Sequence, residues 1–259
     1  MSFVATTRQD AVLTLTLNRP ERRNAIGEFG ECEDIINACA AANADRSVAV
    51  VILTGAGSAF SAGGDLKRIR ERSGILEGQN GIELRDAYRR GVQRVQQAIY
   101  GLEMPAIAAV NGPALGLGCD LACACDIRIA AEGATFASTF VRLGLVPGDG
   151  GAWLLPRAVG ASRAAEMCFT GRNMPAAEAL SAGLVSRVVP GDDLLATAHT
   201  LAEEIAANSG PAVRLAKRLL READHARFDT VLEMSAAFQA LCHETPEHHR
   251  ALDALLARR

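Results

Sequence analysis

Residues 108–120 read AAVNGPALGLGCD, in which an apolar run ends in a glycine-rich turn. The run Ala106–Val110 is apolar at every position, as in a parallel strand that is covered on both faces. The turn that follows precedes a helical pattern, and its small side chains leave main-chain N–H groups uncovered at a helix start. The segment therefore predicts a strand, a turn with exposed amide donors and a helix, which are the elements of an α/β fold.

A second stretch of sequence repeats this order of elements. The apolar run at 48–53 (VAVVIL) is followed by residues 60–67 (FSAGGDLK), another glycine-rich turn before a helical pattern. Partial positive charge at the start of a helix adds to the attraction of free N–H groups for an anion. Two such turns that face one point would hold an oxyanion, whereas either turn taken alone is better explained as a tight chain reversal.

Other segments complete a chain of strands and helices. A further strand is predicted at 11–17, with weaker candidates at 127–130 and 184–189, and helices are predicted at 28–43 and 84–102. Beyond residue 175 the chain is mainly helical, with predicted helices at 176–182, 194–208, 211–223, 228–242 and 246–257. We therefore predict an α/β core at 1–190 that carries the functional site and a helical region at 191–259. Amphipathic helices of this kind often pack on a neighbouring subunit, so we expect an oligomer.

Composition excludes several classes of protein. With 259 residues, 49% of them hydrophobic, the chain can bury a large core, which excludes disorder. A net charge of −3 provides no positive field, so neither nucleic acid nor a membrane is an expected partner. No run approaches the ~20 apolar residues of a membrane span, and residues 1–10 lack the pattern of a signal peptide. We expect a cytoplasmic protein whose seven cysteines are reduced.

Several catalytic and cofactor motifs are missing from the sequence. It contains no Gly-x-Ser-x-Gly elbow, no Gly-x-x-x-x-Gly-Lys-Ser/Thr phosphate loop and no His-Glu-x-x-His zinc motif. Neither Gly55-Ala-Gly57 nor Gly116-Leu-Gly118 continues to the third glycine of a dinucleotide-binding fingerprint. All five histidines lie beyond residue 198, where solvated helix positions explain them better than a metal or nucleophile site does. We therefore expect neither a metal nor a dinucleotide cofactor.

Four segments of the sequence resemble the crotonase family, the enoyl-CoA hydratases and isomerases. They are residues 17–20 (LNRP) with Asn24-Ala25, residues 60–67, residues 108–120, and residues 143–151 (LGLVPGDGG). The resemblance covers essentially the full length and implies an α/β spiral of ββα units with a C-terminal helical trimerisation region. It also implies an acyl-CoA substrate, no cofactor other than the coenzyme A of that substrate, a place in fatty acid metabolism, and a homotrimer or a dimer of trimers.

The resemblance also implies roles for individual residues. The main-chain N–H groups of Gly64 and Leu117 would form the oxyanion hole for the thioester carbonyl. Of the two glutamates of similar hydratases, one matches Asp120 and the other matches Phe140, which cannot transfer a proton. Asp149, in the turn after Leu-Gly-Leu, is the second acid/base candidate. Each aspartate has an alternative explanation as a helix cap or turn residue.

Coenzyme A contacts are carried over from the family in the same way. They are expected at two positions of the N-terminal element, Arg23 and Ala25, and at four positions of the first glycine-rich turn, which are Ala62, Gly63, Asp65 and Leu66. The sequence as a whole predicts an enoyl-CoA hydratase/isomerase that works through an enolate. The alternatives are a double-bond isomerase without hydratase activity and a catalytically weak acyl-CoA-binding homologue.

Overall fold

The computed structural model describes residues 2–77 and 80–257. Its strands are β1 (Val4–Gln9), β2 (Val12–Leu17), β3 (Val50–Gly55), β4 (Ala106–Val110), β5 (Ala114–Leu115), β6 (Ile127–Ala131), β7 (Thr135–Ala137), β8 (Met174–Pro175) and β9 (Arg187–Val189). The larger sheet has the order β1-β2-β3-β4-β6-β9, in which β1 is antiparallel to β2 and every other neighbouring pair is parallel. The smaller sheet has the order β5-β7-β8.

Helices connect and cover these strands. They are α1 (Phe29–Ala44), α2 (Leu66–Glu71), α3 (Gly81–Arg90), α4 (Val92–Tyr100), α5 (Leu117–Ala124), α6 (Gly151–Val159), α7 (Ala161–Thr170), α8 (Ala176–Ser181), α9 (Leu194–Ala206), α10 (Gly210–Ala223), α11 (Phe228–His243) and α12 (Pro246–Leu256). Short 3₁₀ turns occupy Pro20–Arg22, Gly74–Leu76, Thr139–Leu143 and Gly191–Asp193. Helices therefore lie on both faces of the larger sheet, as expected for a mostly parallel sheet.

The sheet separates two apolar clusters. Every residue of β3 and β4 is buried, so these strands read as continuous apolar runs in the sequence. One face packs against α1 and α4, and the other face, which includes Ile52 and Ile107, packs against Leu194 and Ala198 of α9. Both glycine-rich turns follow the carboxyl ends of β3 and β4.

Two sequence predictions of secondary structure are wrong. The helix predicted at 84–102 is divided into α3 and α4 at Gly91, because the ψ of −107° at Gly91 lies outside the helical region. The strand predicted at 184–189 is confined to Arg187–Val189. Leu184 N and Val185 N instead donate to Ala179 O at the end of α8, so these residues close a turn and do not pair with a strand.

The helices after residue 190 differ in how they contact the core. Helix α9 covers the sheet, and α10 is attached through Lys217, whose Nζ contacts Asp126 and Met104 O at 2.7 Å each. Helices α11 and α12 have no buried residue. The boundary predicted near residue 190 stays a prediction. It places α9, which covers the sheet, in the helical region and outside the α/β core. None of the described helices is long and apolar enough to span a membrane.

Candidate active site

Main-chain hydrogen bonds tie the two glycine-rich turns to each other. Ser61 N donates to Pro113 O (3.1 Å), and Leu115 N donates back to Ser61 O (3.0 Å). The Ser61 hydroxyl donates to Asn24 O (2.9 Å) and accepts from Gly63 N (3.1 Å). The turns are therefore fixed side by side at the carboxyl ends of two neighbouring parallel strands, which is where open α/β sheets bind ligands.

The approach of the turns brings Gly63, the neighbour of Gly64, close to the amide of Leu117. A Cβ atom added at Gly63 would overlap Leu115 O and would lie 3.2 Å from Leu117 N. Neither Gly64 N nor Leu117 N donates a hydrogen bond to an acceptor among residues 2–77 and 80–257. Leu117 is the first residue of α5, where an N–H group has no partner inside the helix. Both amides can therefore bind an acceptor that does not belong to the chain.

A cavity of about 80 Å³ opens beside the two amides. Gly64 and Leu117 both line it, and most of the remaining wall is apolar. The apolar side chains include Ile26, Ile69, Ile75, Leu76, Val92, Leu143 and Leu145. An apolar wall with a few convergent polar groups is typical of a small-molecule site.

Asp149 contributes a carboxyl group to this wall. Its side chain is 5% exposed, and its Oδ1 has no hydrogen-bond partner within the described part of the chain. Burial raises the pKa of Asp149 to about 6, because a carboxylate loses hydration in an apolar wall. A carboxyl group with a pKa near neutrality can both take up and release a proton in the working range of most enzymes.

Asp120, the other expected acid/base group, is not among the residues that line the cavity. It is 1% exposed, and its Oδ2 accepts a hydrogen bond from Gly151 N (3.0 Å), the first residue of α6. A Cβ atom at Gly151 would overlap the Asp120 carboxyl group. Burial, together with the charge of Asp149, raises the pKa of Asp120 well above its ordinary value. Asp120 is thus a partner of the α6 N-terminus, and its catalytic role stays a prediction.

Two aromatic side chains stand beside Asp149 in the wall. Phe140, which occupies the position expected for a second glutamate, packs near Gly116: a Cβ atom there would lie 3.7 Å from Phe140 Cζ. Tyr88 of α3 also lines the cavity, and burial together with the charge of Asp149 raises the pKa of Tyr88. Sequence reasoning did not identify Tyr88. It belongs to no motif, and only its place on the less exposed face of α3 could have indicated it.

The positions expected to contact coenzyme A divide into two groups. Three of them line the cavity: Ala62, Asp65 and Leu66. Three do not: Arg23, Ala25 and Gly63. Arg23 O instead accepts from Ala62 N (2.8 Å), which attaches the first glycine-rich turn to the segment before α1. The Asp65 carboxylate caps α2 by accepting from Lys67 N (2.9 Å).

The close approach at Gly63 predicts a large cost for a side chain there. Gly63→Ala is expected to lower the free energy of unfolding by about 2–4 kcal/mol, because its φ is +85° and the new Cβ would overlap Leu115 O. The matched control is Gly30→Ala in α1, where nothing lies within 4 Å of the added Cβ. Because Gly30 is only the second residue of α1, we expect this control to change the free energy of unfolding by less than about 1 kcal/mol. Urea denaturation measures both values, and equal stabilities of the two variants would contradict the close contact.

Sequence similarity assigns this site to a family of enzymes. The family profile described as enoyl-CoA hydratase/isomerase matches residues 7–258. The chain belongs to the enoyl-CoA hydratase/isomerase family. It is 37% identical to the 2,3-dehydroadipyl-CoA hydratase of Escherichia coli K12, over 100% of this chain and 97% of that protein. It is 36% identical to the short-chain-enoyl-CoA hydratase of Clostridium acetobutylicum, over 97% of this chain and 94% of that protein.

Solved structures of enoyl-CoA hydratases share the fold. The hydratase of Bacillus anthracis is 36% identical, has a TM-score of 0.92 and covers 100% of this chain and 97% of its own. The hydratase of Mycobacterium smegmatis is 30% identical, has a TM-score of 0.91 and covers 100% of this chain and 98% of its own. These similarities confirm the predicted family, the crotonase fold and an enzyme of the acyl-CoA hydratase/isomerase type. No group of three or more His, Cys, Asp or Glu side chains in the described part of this family member is placed to hold a metal ion.

Proposed function

We propose that this enoyl-CoA hydratase/isomerase family member binds the thioester carbonyl of an enoyl-CoA with the amides of Gly64 and Leu117. Removing a proton next to that carbonyl, or adding water to a conjugated double bond, moves negative charge onto the carbonyl oxygen. The observation that carries the proposal is the pair of amides beside one apolar cavity that have no acceptor among the residues that the structure describes. They would bind the oxygen of the enolate more strongly than that of the substrate, and this difference lowers the barrier.

Asp149 moves the proton in this proposal. Its Oδ1 is free of protein partners in the described residues, and its pKa of about 6 suits a group that changes protonation near neutral pH. Asp65, which also lines the cavity, is already engaged by the α2 amides and by Arg22 (3.4 Å). Asp149 is therefore the better placed of these two carboxyl groups for proton transfer.

Double-bond isomerisation without hydration is the second candidate, and Phe140 is the observation that favours it. Isomerisation needs one base that removes a proton from the carbon next to the carbonyl and returns it two carbons further along the chain. Hydration needs a water molecule to be held and deprotonated as well. Phe140 has no polar atom for this task, so Asp149 alone would have to serve both the water and the carbon.

Turnover of two thioesters tests the proposed function. With crotonyl-CoA, the purified protein is expected to form 3-hydroxybutyryl-CoA if it hydrates. With but-3-enoyl-CoA, it is expected to form crotonyl-CoA if it isomerises. Chromatography of the thioesters separates these products, and the ratio of the two kcat/KM values decides between the candidates. If the protein turns over neither substrate, the proposed function is overturned. The alternative of an acyl-CoA-binding homologue without catalysis then remains.

The pH dependence of this turnover follows from the state of Asp149. The carboxyl group must be ionised to accept a proton, and burial raises its pKa to about 6. We therefore expect kcat/KM to be constant above about pH 7 and to fall about tenfold per pH unit below about pH 6. A pH profile of kcat/KM for the faster substrate checks this. Activity that increases as the pH falls through 6 would contradict Asp149 as the base.

Binding of coenzyme A and assembly complete the proposal. Coenzyme A would enter as part of the substrate, along Ala62 and Leu66, with no separate cofactor. A homotrimer or dimer of trimers would cover the exposed apolar side chains of α11 and α12. These are Phe228, Leu232, Leu241, Leu252, Leu255 and Leu256. The seven cysteines are all free, which supports the reducing cytoplasm as the location.

A further inference from the structure

A second cavity adjoins the active-site cavity. Its volume is about 410 Å³, and Asp149 lines this cavity as well. The two cavities share four wall residues: Tyr88, Phe140, Leu145 and Asp149. We call this second space the outer cavity, and we call the active-site cavity the inner cavity. A chain that runs past the shared wall residues from the active site would enter the outer cavity.

The small size of the inner cavity favours such a path for longer acyl groups. The inner cavity offers about 80 Å³, whereas sites that enclose a ligand usually offer about 300–1,000 Å³. A short acyl group fits beside the two amides. The distal carbons of a longer acyl chain would extend into the outer cavity through the wall that the two cavities share.

The outer cavity is lined by positive side chains. Arg85 and Arg89 of α3 both line it, one helical turn apart. The Arg85 guanidinium already contacts the Asp86 carboxylate at 3.1 Å, whereas the Arg89 guanidinium has no hydrogen bond or ion pair within residues 2–77 and 80–257. The remaining polar groups of the wall are Tyr88, Gln93 and Asp149. Since Asp86 pairs with Arg85, Arg89 is the guanidinium group of this wall that is available to an anion.

We infer that the outer cavity receives the far end of the acyl chain and selects enoyl-CoA thioesters whose chain ends in a carboxylate. This inference rests on the proposed function, because the thioester must lie at Gly64 and Leu117 for the chain to point past Asp149. A guanidinium group binds a carboxylate through two parallel N–H···O bonds, and an unpaired arginine loses no internal partner when it does so. An acyl chain of the same length with a neutral end would form no such bonds with Arg89.

Two thioesters of equal chain length test the inference: hex-2-enoyl-CoA and its analogue that ends in a carboxylate. The wild-type enzyme is expected to prefer the carboxylate substrate in kcat/KM. Arg89→Ala is expected to lower kcat/KM for the carboxylate substrate about tenfold and to leave that for hex-2-enoyl-CoA within about twofold. The matched control is Arg90→Ala, which removes the same charge from the same helix at a position that does not line either cavity. Arg90→Ala is expected to leave kcat/KM for both substrates unchanged.

Binding of the saturated thioesters separates this inference from the proposed function. Calorimetry with hexanoyl-CoA and with its ω-carboxylate analogue needs no turnover, and Arg89→Ala is expected to weaken only the analogue. Equal kcat/KM values of the wild type for the two substrates would overturn the carboxylate selection and leave the proposed function intact. An equal loss of kcat/KM for both substrates in Arg89→Ala would have the same meaning. Absence of turnover with a preserved binding preference would overturn the proposed function alone.

Discussion

Asp149→Asn is expected to lower kcat by about 10²–10⁴-fold, which is the usual contribution of a positioned acid/base group. Asparagine keeps the size and shape of the side chain in the cavity wall but cannot accept the proton. KM is expected to change little, because the thioester is held by the main-chain amides and by the apolar wall. Steady-state kinetics with crotonyl-CoA or but-3-enoyl-CoA measure both constants.

Asp120→Asn is the matched control for this prediction. Asparagine at 120 can still accept the hydrogen bond from Gly151 N, so α6 keeps its partner, and kcat is expected to change less than about tenfold. A large loss in Asp120→Asn with near-normal activity in Asp149→Asn would assign the proton transfer to Asp120. That result would restore the role that the sequence resemblance implies for Asp120.

Stability of Asp149→Asn distinguishes lost chemistry from lost folding. The unfolded carboxyl group ionises near pH 4 and the folded group at about 6, so the folded state binds more protons between these values. Ionisation of Asp149 therefore lowers the free energy of unfolding as the pH rises through this window. The loss reaches about 3 kcal/mol once the pH is above 6. Asp149→Asn is expected to unfold at higher urea than the wild type at about pH 8 and at similar urea at about pH 4. Inactivity combined with a lower stability at about pH 8 would contradict this account.

Leu117→Pro is expected to lower kcat by about 10²–10³-fold, the usual effect of losing one oxyanion donor. Proline removes the N–H group, and at the first position of a helix it is tolerated because that N–H has no intrahelical partner. Leu117→Ala keeps the amide and removes only the side chain, so it is expected to retain kcat within about tenfold. Kinetics of both variants, with circular dichroism to check folding, measure the contribution of the amide. Equal kcat values for two folded variants would show that the Leu117 N–H does not bind the oxyanion.

Burial on both faces made the central strands predictable from sequence. Strand β4 lies where its apolar run predicted it, and β3 begins two residues after the predicted start at 48. Strand β1 (VATTRQ) was missed because it is an edge strand that exposes most of its residues, so its sequence shows no apolar run. Helix α6 was also missed. It begins at two glycines and contains Pro156, which are signals against a helix in any sequence.

The site was predictable where main-chain geometry decides it and unpredictable where packing between distant segments does. Glycine-rich turns before helices indicate uncovered amides, and the family resemblance assigned these amides to Gly64 and Leu117, which both line one cavity. The different positions of Asp120 and Asp149 depend on how α5 packs against α6, which no local pattern encodes. The outer cavity likewise joins residues that are distant in the chain, because Arg89 of α3 and Phe140, about fifty residues apart, both line it.

A crystal structure of the enzyme with bound butyryl-CoA tests the central claim most directly. The account predicts a thioester oxygen within about 2.7–3.1 Å of both Gly64 N and Leu117 N, with the Asp149 carboxyl group facing the carbons next to the carbonyl. A thioester oxygen that lies beyond hydrogen-bond distance from these two nitrogens, in an otherwise occupied cavity, would contradict it.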